Sequence, residues 1–241
     1  MQVQPPEARL AAPRQSLGWI PIALTLLIAG ALSFGAGVIH WDPCFTDEFD
    51  SAGCSVRQSD PSDLTGFTVL PSDQRLAAIM LASSKLVIGL LWFSLVLVGG
   101  ASASSLRRLA GRIVASIGGA CYVVAALAEL WWFARGQVLL DNLEIVRFAV
   151  FGFIATIPAA VLLWRPRERR LDLLLLGLLA GSWLGAVVDY FFWMMIYSSH
   201  DTPPGRGLAQ AAAYVGTGAG ILYLTLTRDI RAAGRAIGSP P

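Results

Sequence analysis

The sequence predicts an all-α integral membrane protein: a bundle of six transmembrane helices with one disulfide-stapled outer loop. Three observations carry this. Apolar residues make up 55% of the 241 positions and gather into six runs of about 20, the length that spans a bilayer core of roughly 30 Å. Charged residues make up only 14%, and most fall between the runs. The arginines concentrate in alternate loops, as the positive-inside rule requires of a polytopic chain.

Met1 to Ser16 holds Pro5, Pro6, Pro13, Arg9 and Arg14 and reads as a cytoplasmic tail. The first span is expected at Leu17–Ile39, with Pro21 in its first turn, where a missing N–H is tolerated. Trp19 and Trp41 bracket it as interfacial aromatics. The run is longer than a signal-peptide core and no clear small-residue cleavage site closes it, so a retained span is expected. His40 to Arg75 follows as the long outer loop. It carries seven acidic residues against Arg57 and Arg75, a net charge of −5. Pro43, Pro61, Pro71, Gly53 and Gly66 argue against a long helix there, and residues 65–70 read as a short strand or a surface segment.

The second span is expected at Leu76–Val98 and the third at Ile113–Phe133, with Arg107, Arg108 and Arg112 in the loop between them. Asp141 reads as the cap of a fourth span at Ile145–Trp164, since Glu144 completes a capping box. Pro158 inside that span should bend it. Arg165, Arg167, Arg169 and Arg170 form the next loop. A long fifth span, Leu171–Tyr197, is expected to tilt. The sixth runs over Leu208–Leu226, so that the membrane domain covers 17–227, the outer loop 40–75 and a second cytoplasmic tail 228–241. By side, the basic residues number 12 against 4. That imbalance puts both termini in the cytoplasm and the acidic loop outside, in a multi-pass protein of the plasma membrane.

Cys44 and Cys54 lie in the outer loop and are expected to form a disulfide, because the outside is oxidising. Their spacing is not the C-x-x-C of a redox pair. Cys121 falls inside the third span and reads as a small core residue. The chain has two histidines, His40 and His200. His40, Cys44 and His200 could meet at the outer face as metal ligands, but interfacial histidine is common and no pattern of supporting partners around them is visible, so no metal and no cofactor are expected.

The charges within the spans are the candidate binding residues: Lys85, Glu129, Arg147 and Asp189. Intramembrane charges are costly and face a bundle interior or a cavity. Counted along the helices, Lys85 and Asp189 lie roughly 12–14 Å below the outer boundary, and Glu129 and Arg147 roughly 3–6 Å below it. Depth and sign therefore predict two pairs, Lys85 with Asp189 and Glu129 with Arg147. Lys85 is the only lysine among 18 basic residues. The bland reading is that such pairs fix helix register. The sharper one is a polar site for a ligand or a proton.

Gly177, Gly181 and Gly185 fall at four-residue spacing on the fifth span. They allow another helix to approach closely, either inside the bundle or in a homodimer. No Walker motif, H-E-x-x-H or G-x-S-x-G occurs, and Ser83 and Lys85 at i,i+2 do not face each other as a dyad, so no catalytic residue is assigned. The arginine clusters adjoin spans and do not indicate nucleic acid; the expected partner is the bilayer. The function predicted is that of a non-enzymatic, partner- or ligand-binding envelope protein. The alternative is a small proton-coupled or solute transporter using Lys85 and Asp189, with a lipid-modifying enzyme third.

Overall fold

The computed structural model describes residues 18–46, 53–55, 72–98, 105–135, 142–163, 169–180, 183–197, 205 and 207–237. They are all-helical, with no strand among them. The helices are α1 (Trp19–Thr46), α2 (Ser72–Val98), α3 (Ser105–Arg135), α4 (Asn142–Leu163), α5 (Arg169–Ala180), α6 (Trp183–Tyr197) and α7 (Leu208–Ile237), with a short helical turn at residues 53–55. Residues 65–70, Asp141, Gly181 and His200 lie outside the described residues.

Among the described residues three segments are long and apolar enough to cross a membrane: Trp19–Phe45, Arg75–Ser94 and Leu109–Arg135. Each helix overshoots its apolar run. α1 runs past Ile39 to Thr46, and α3 begins at Ser105, so Arg107, Arg108 and Arg112 stand on a helix and not in a loop. α7 likewise carries Arg228, Arg231 and Arg235 on helical backbone. Hydropathy ends where apolar residues end, whereas a helix ends where its backbone bonds are interrupted.

The extension of α1 accommodates Pro43 in its last turns. Cys44 and Cys54 form a disulfide with Cα atoms 4.7 Å apart, which straps the turn at 53–55 to this helix end. Trp41, Cys44 and Cys54 form a small buried cluster, and the His40 ring meets Trp41 edge-on, with centroids 4.6 Å apart. Trp19 and Trp41, expected at an interface, are both buried, at 5% and 1% exposure. Cys121 is the free cysteine among the described residues. Unfolding without reductant should therefore release one titratable thiol per chain, and reduction should raise this to three. Three thiols before reduction would rule the bridge out.

Helix order follows from packing. α4, α3, α2, α1 and α7 pack each on the next, and α5 packs on α7. The ring closes only lightly, where α4 meets α5 and α6. Small residues set the tight seams. Gly89 and Gly119 put α2 and α3 so close that a methyl on either would lie about 3 Å from the other's carbonyl oxygen. At the α1–α7 seam a methyl on Gly30 would sit 3.0 Å from Val215 N, and one on Gly218 would sit 2.9 Å from Ala23 O. Backbones at such distances gain dispersion contact that larger residues forbid.

The fifth apolar run is not one tilted helix. It is two, α5 and α6, with residues 181 and 182 between them. A side chain on Gly185 would collide with the backbone carbonyl of Ala180. The glycine ladder therefore does not line one continuous helix face. Gly177 faces inward, where a methyl would lie 2.6 Å from Thr217 Oγ1 of α7. Gly220 of α7 meets Leu173 of α5 in the same way, at 3.0 Å. The face carrying Gly177 is thus covered by the chain's own last helix.

Candidate functional site

The charges expected within the spans include one pair that depth alone does not predict. Lys85 Nζ donates to Glu129 Oε1 at 2.7 Å, joining α2 to α3. Glu129 is 1% exposed and the Lys85 side chain 12%. The reason lies in helix geometry. Gly89 sits beside Gly119, Tyr122 and Val123, so the antiparallel register places Lys85 opposite residues near 125, about 6 Å from the level of Glu129. Side chains lean toward the N-terminus of their own helix. In an antiparallel pair those leans oppose, and Lys85 and Glu129 reach toward each other across that offset. Cα depth misjudges where the charged atoms lie. The expected Glu129–Arg147 pair rests on the Arg147 side chain, which lies outside the described residues.

Asp189 has a different role. It sits on α6. Its carboxylate caps α7: Gly207 N donates to Oδ2 at 2.6 Å and Ala209 N to Oδ1 at 3.1 Å. These are the otherwise orphaned donors of a helix start, and a negative charge there also complements the helix dipole. The cap comes from a different helix and is 3% exposed. The corner it holds needs glycine, since Gly205 and Gly207 take φ of +88° and +90°. At Gly205 a methyl would sit 3.0 Å from the Trp193 ring, one helical turn along α6 from Asp189. Asp-x3-Trp on α6 and Gly-x-Gly before α7 thus lock together. In the sequence alone the same residues look like half of an ion pair beside an aromatic belt.

Three further polar links occupy the interior. Ser84, next to Lys85 on α2, donates to Ala29 O of α1 at 2.9 Å, so Ser33 supplies the proton for the 2.7 Å contact between the two serine hydroxyls. Consecutive residues of α2 therefore reach opposite neighbours. The Tyr122 hydroxyl of α3 bonds Thr156 of α4, and Thr156 in turn donates to Gly152 O at 3.1 Å. Thr217 and Thr225 return their protons to carbonyls on α7. At the end of the bundle near the disulfide, Arg75 donates to Phe133 O at 2.6 Å, and the Arg135 guanidinium lies 5.6 Å from the Trp131 ring centre. At the opposite end Arg107 donates to Val161 O at 2.9 Å, capping α4.

No known protein family, curated protein or solved structure matches this chain. Its function is therefore argued from the site alone. Among the described residues no group of three or more His, Cys, Asp or Glu side chains converges on a point, and Cys44 is engaged in the disulfide. The candidate site is a closed ion pair flanked by serine hydroxyls. That arrangement ties α1, α2 and α3 at one level; it presents no nucleophile beside a base.

Proposed function

We propose that the chain is a six-span integral membrane protein of the plasma membrane, with both termini cytoplasmic, which binds a partner or ligand without catalysing a reaction. The first three spans are α1, α2 and α3. The others are α4, the broken pair α5 and α6, and α7. All carry bulky apolar side chains outward: Phe151, Ile154 and Val161 on α4, Leu176, Val188 and Met195 on α5 and α6, Tyr223 on α7, each more than half exposed. A charge pair inside and large apolar side chains outside is the distribution that a bilayer favours and water does not. Reporter fusions after Arg108, Arg170 and Arg235 should read cytoplasmic, and one after Asp60 external. An external signal at Arg170 would overturn the six-span topology.

The observation that carries the non-transporting reading is the closure of the candidate charges. Glu129 is sealed against Lys85, and Asp189 is engaged in holding a helix start. Transport needs charges that exchange partners with a substrate or a proton. The transporter reading keeps one point in its favour, the partial exposure of Lys85. Reconstitution into vesicles containing a pH-sensitive dye separates the two. The protein should pass no protons under an imposed gradient. A flux that vanishes in the K85M/E129Q double variant would establish transport instead.

A further inference from the structure

α5 and α7 together carry five arginines and two aspartates and no other charged residue. Arg169, Arg170 and Asp172 stand at the start of α5, and Arg228, Asp229, Arg231 and Arg235 toward the end of α7. Packing brings the two groups to one end of the bundle. A methyl on Gly177 would meet Thr217, and one on Gly220 would meet Leu173, so the helices run antiparallel. Continued to the start of α5, that register sets Arg169 level with residues near 225, and Arg228 about 5 Å further along. Arg170, at 7% exposure, and Asp172 are both engaged within the protein, whereas Arg169 stands exposed. α7 stays helical to Ile237. The spacing of Arg228, Arg231 and Arg235 sets them on one face of it, with Ile230 and Ile237 on the opposite one. Like charges gathered at one end repel, and an anion among them relieves that repulsion.

We infer that this end of the α5–α7 seam binds the headgroup of an anionic phospholipid, with Arg169, Arg228 and Arg231 as the residues that meet its phosphate. The inference rests on the membrane reading above. Height along the helices selects the ligand. Arg169 stands two residues before Leu171 and Arg228 two past Leu226, each roughly 3 Å outside its apolar run, and Arg231 roughly 7 Å outside. The headgroup layer occupies roughly 5–7 Å on each face of a bilayer, so the three positions share the depth of the lipid phosphates. Arg235, roughly 13 Å out, lies past that layer. A guanidinium offers a phosphate two parallel N–H donors. In a zwitterionic headgroup the lipid's own cation offsets that attraction. An acidic protein segment has the right charge, but it would have to dock at the level that lipid headgroups already fill.

The test titrates the full chain in detergent with dioctanoyl phosphatidylglycerol or dioctanoyl phosphatidylcholine and counts bound lipid by native mass spectrometry. The anionic lipid should bind the more tightly. The triple variant R169Q/R228Q/R231Q should weaken it about 100-fold, at about fivefold for each arginine near a membrane surface, and leave phosphatidylcholine binding unchanged. R135Q, at the opposite end of the bundle, should bind phosphatidylglycerol as the wild type does. If the triple variant fails to fold, R228Q alone should show the fivefold loss. The proposal is overturned if the two lipids bind alike, or if the arginine variants keep wild-type affinity for phosphatidylglycerol. Displacement of the lipid by an equal concentration of hexaglutamate would also overturn it and assign the surface to an acidic protein. Resistance to carbonate extraction is measured in parallel. Extraction of the wild type would sink the membrane reading itself, whereas resistance without lipid selectivity would sink this proposal alone.

Discussion

Lys85→Met should destabilise the bundle by about 3–5 kcal/mol, the loss that follows when one partner of a buried pair is removed. The carboxylate left behind is 1% exposed. Glu129→Gln should cost less. The ammonium it strands sits on a flexible four-carbon stem that is already 12% exposed, and such side chains snorkel toward water or a lipid head group. The double variant K85M/E129Q should recover most of the loss, because replacing both members of a buried pair is often close to neutral. Loss of helical signal on heating in detergent, followed by circular dichroism, reads all three. Equal losses for the two single variants would show that Lys85 is as enclosed as Glu129. A double variant no better than K85M would show that the pair is not the partnership that matters.

The second large effect is expected at Asp189. Asp189→Ala leaves the N–H groups of Gly207 and Ala209 without their acceptor, at about 1–3 kcal/mol for each buried group, so a total of about 2–4 kcal/mol is expected once partial relaxation is allowed. Asp189→Asn keeps one acceptor oxygen and should lose about half as much. The local readout is hydrogen exchange at those two amides, which should rise sharply in D189A and moderately in D189N, while amides in the middle of α2 and α3 stay protected. Uniform acceleration across all helices would mean that Asp189 supports the bundle as a whole and not the start of α7.

Apolar run length locates α1, α2, α3, α4 and α7, because uncharged runs of bilayer length are rare outside membrane spans. Boundaries are less legible. Pro43 and the acidic residues around it read as loop, yet the Trp41 and disulfide cluster holds α1 together past them. The division of the fifth run into α5 and α6 is not legible, because glycines at four-residue spacing inside an apolar run serve close packing and chain breaks alike. Gly177 does the first and Gly185 the second. Partner identity is least legible. Depth along a helix can be counted, whereas the order of helices around the ring cannot, and that order puts Lys85 beside Glu129.

The solitary lysine has a practical consequence. Lys85 is the one lysine in the sequence, so an amine-directed acylating reagent has a single side-chain target in it. The Lys85 nitrogen is held against Glu129 at 2.7 Å between α2 and α3. Acylation of Lys85 should therefore proceed only as fast as α2 and α3 part, so its rate becomes a clock for how often this protein breathes.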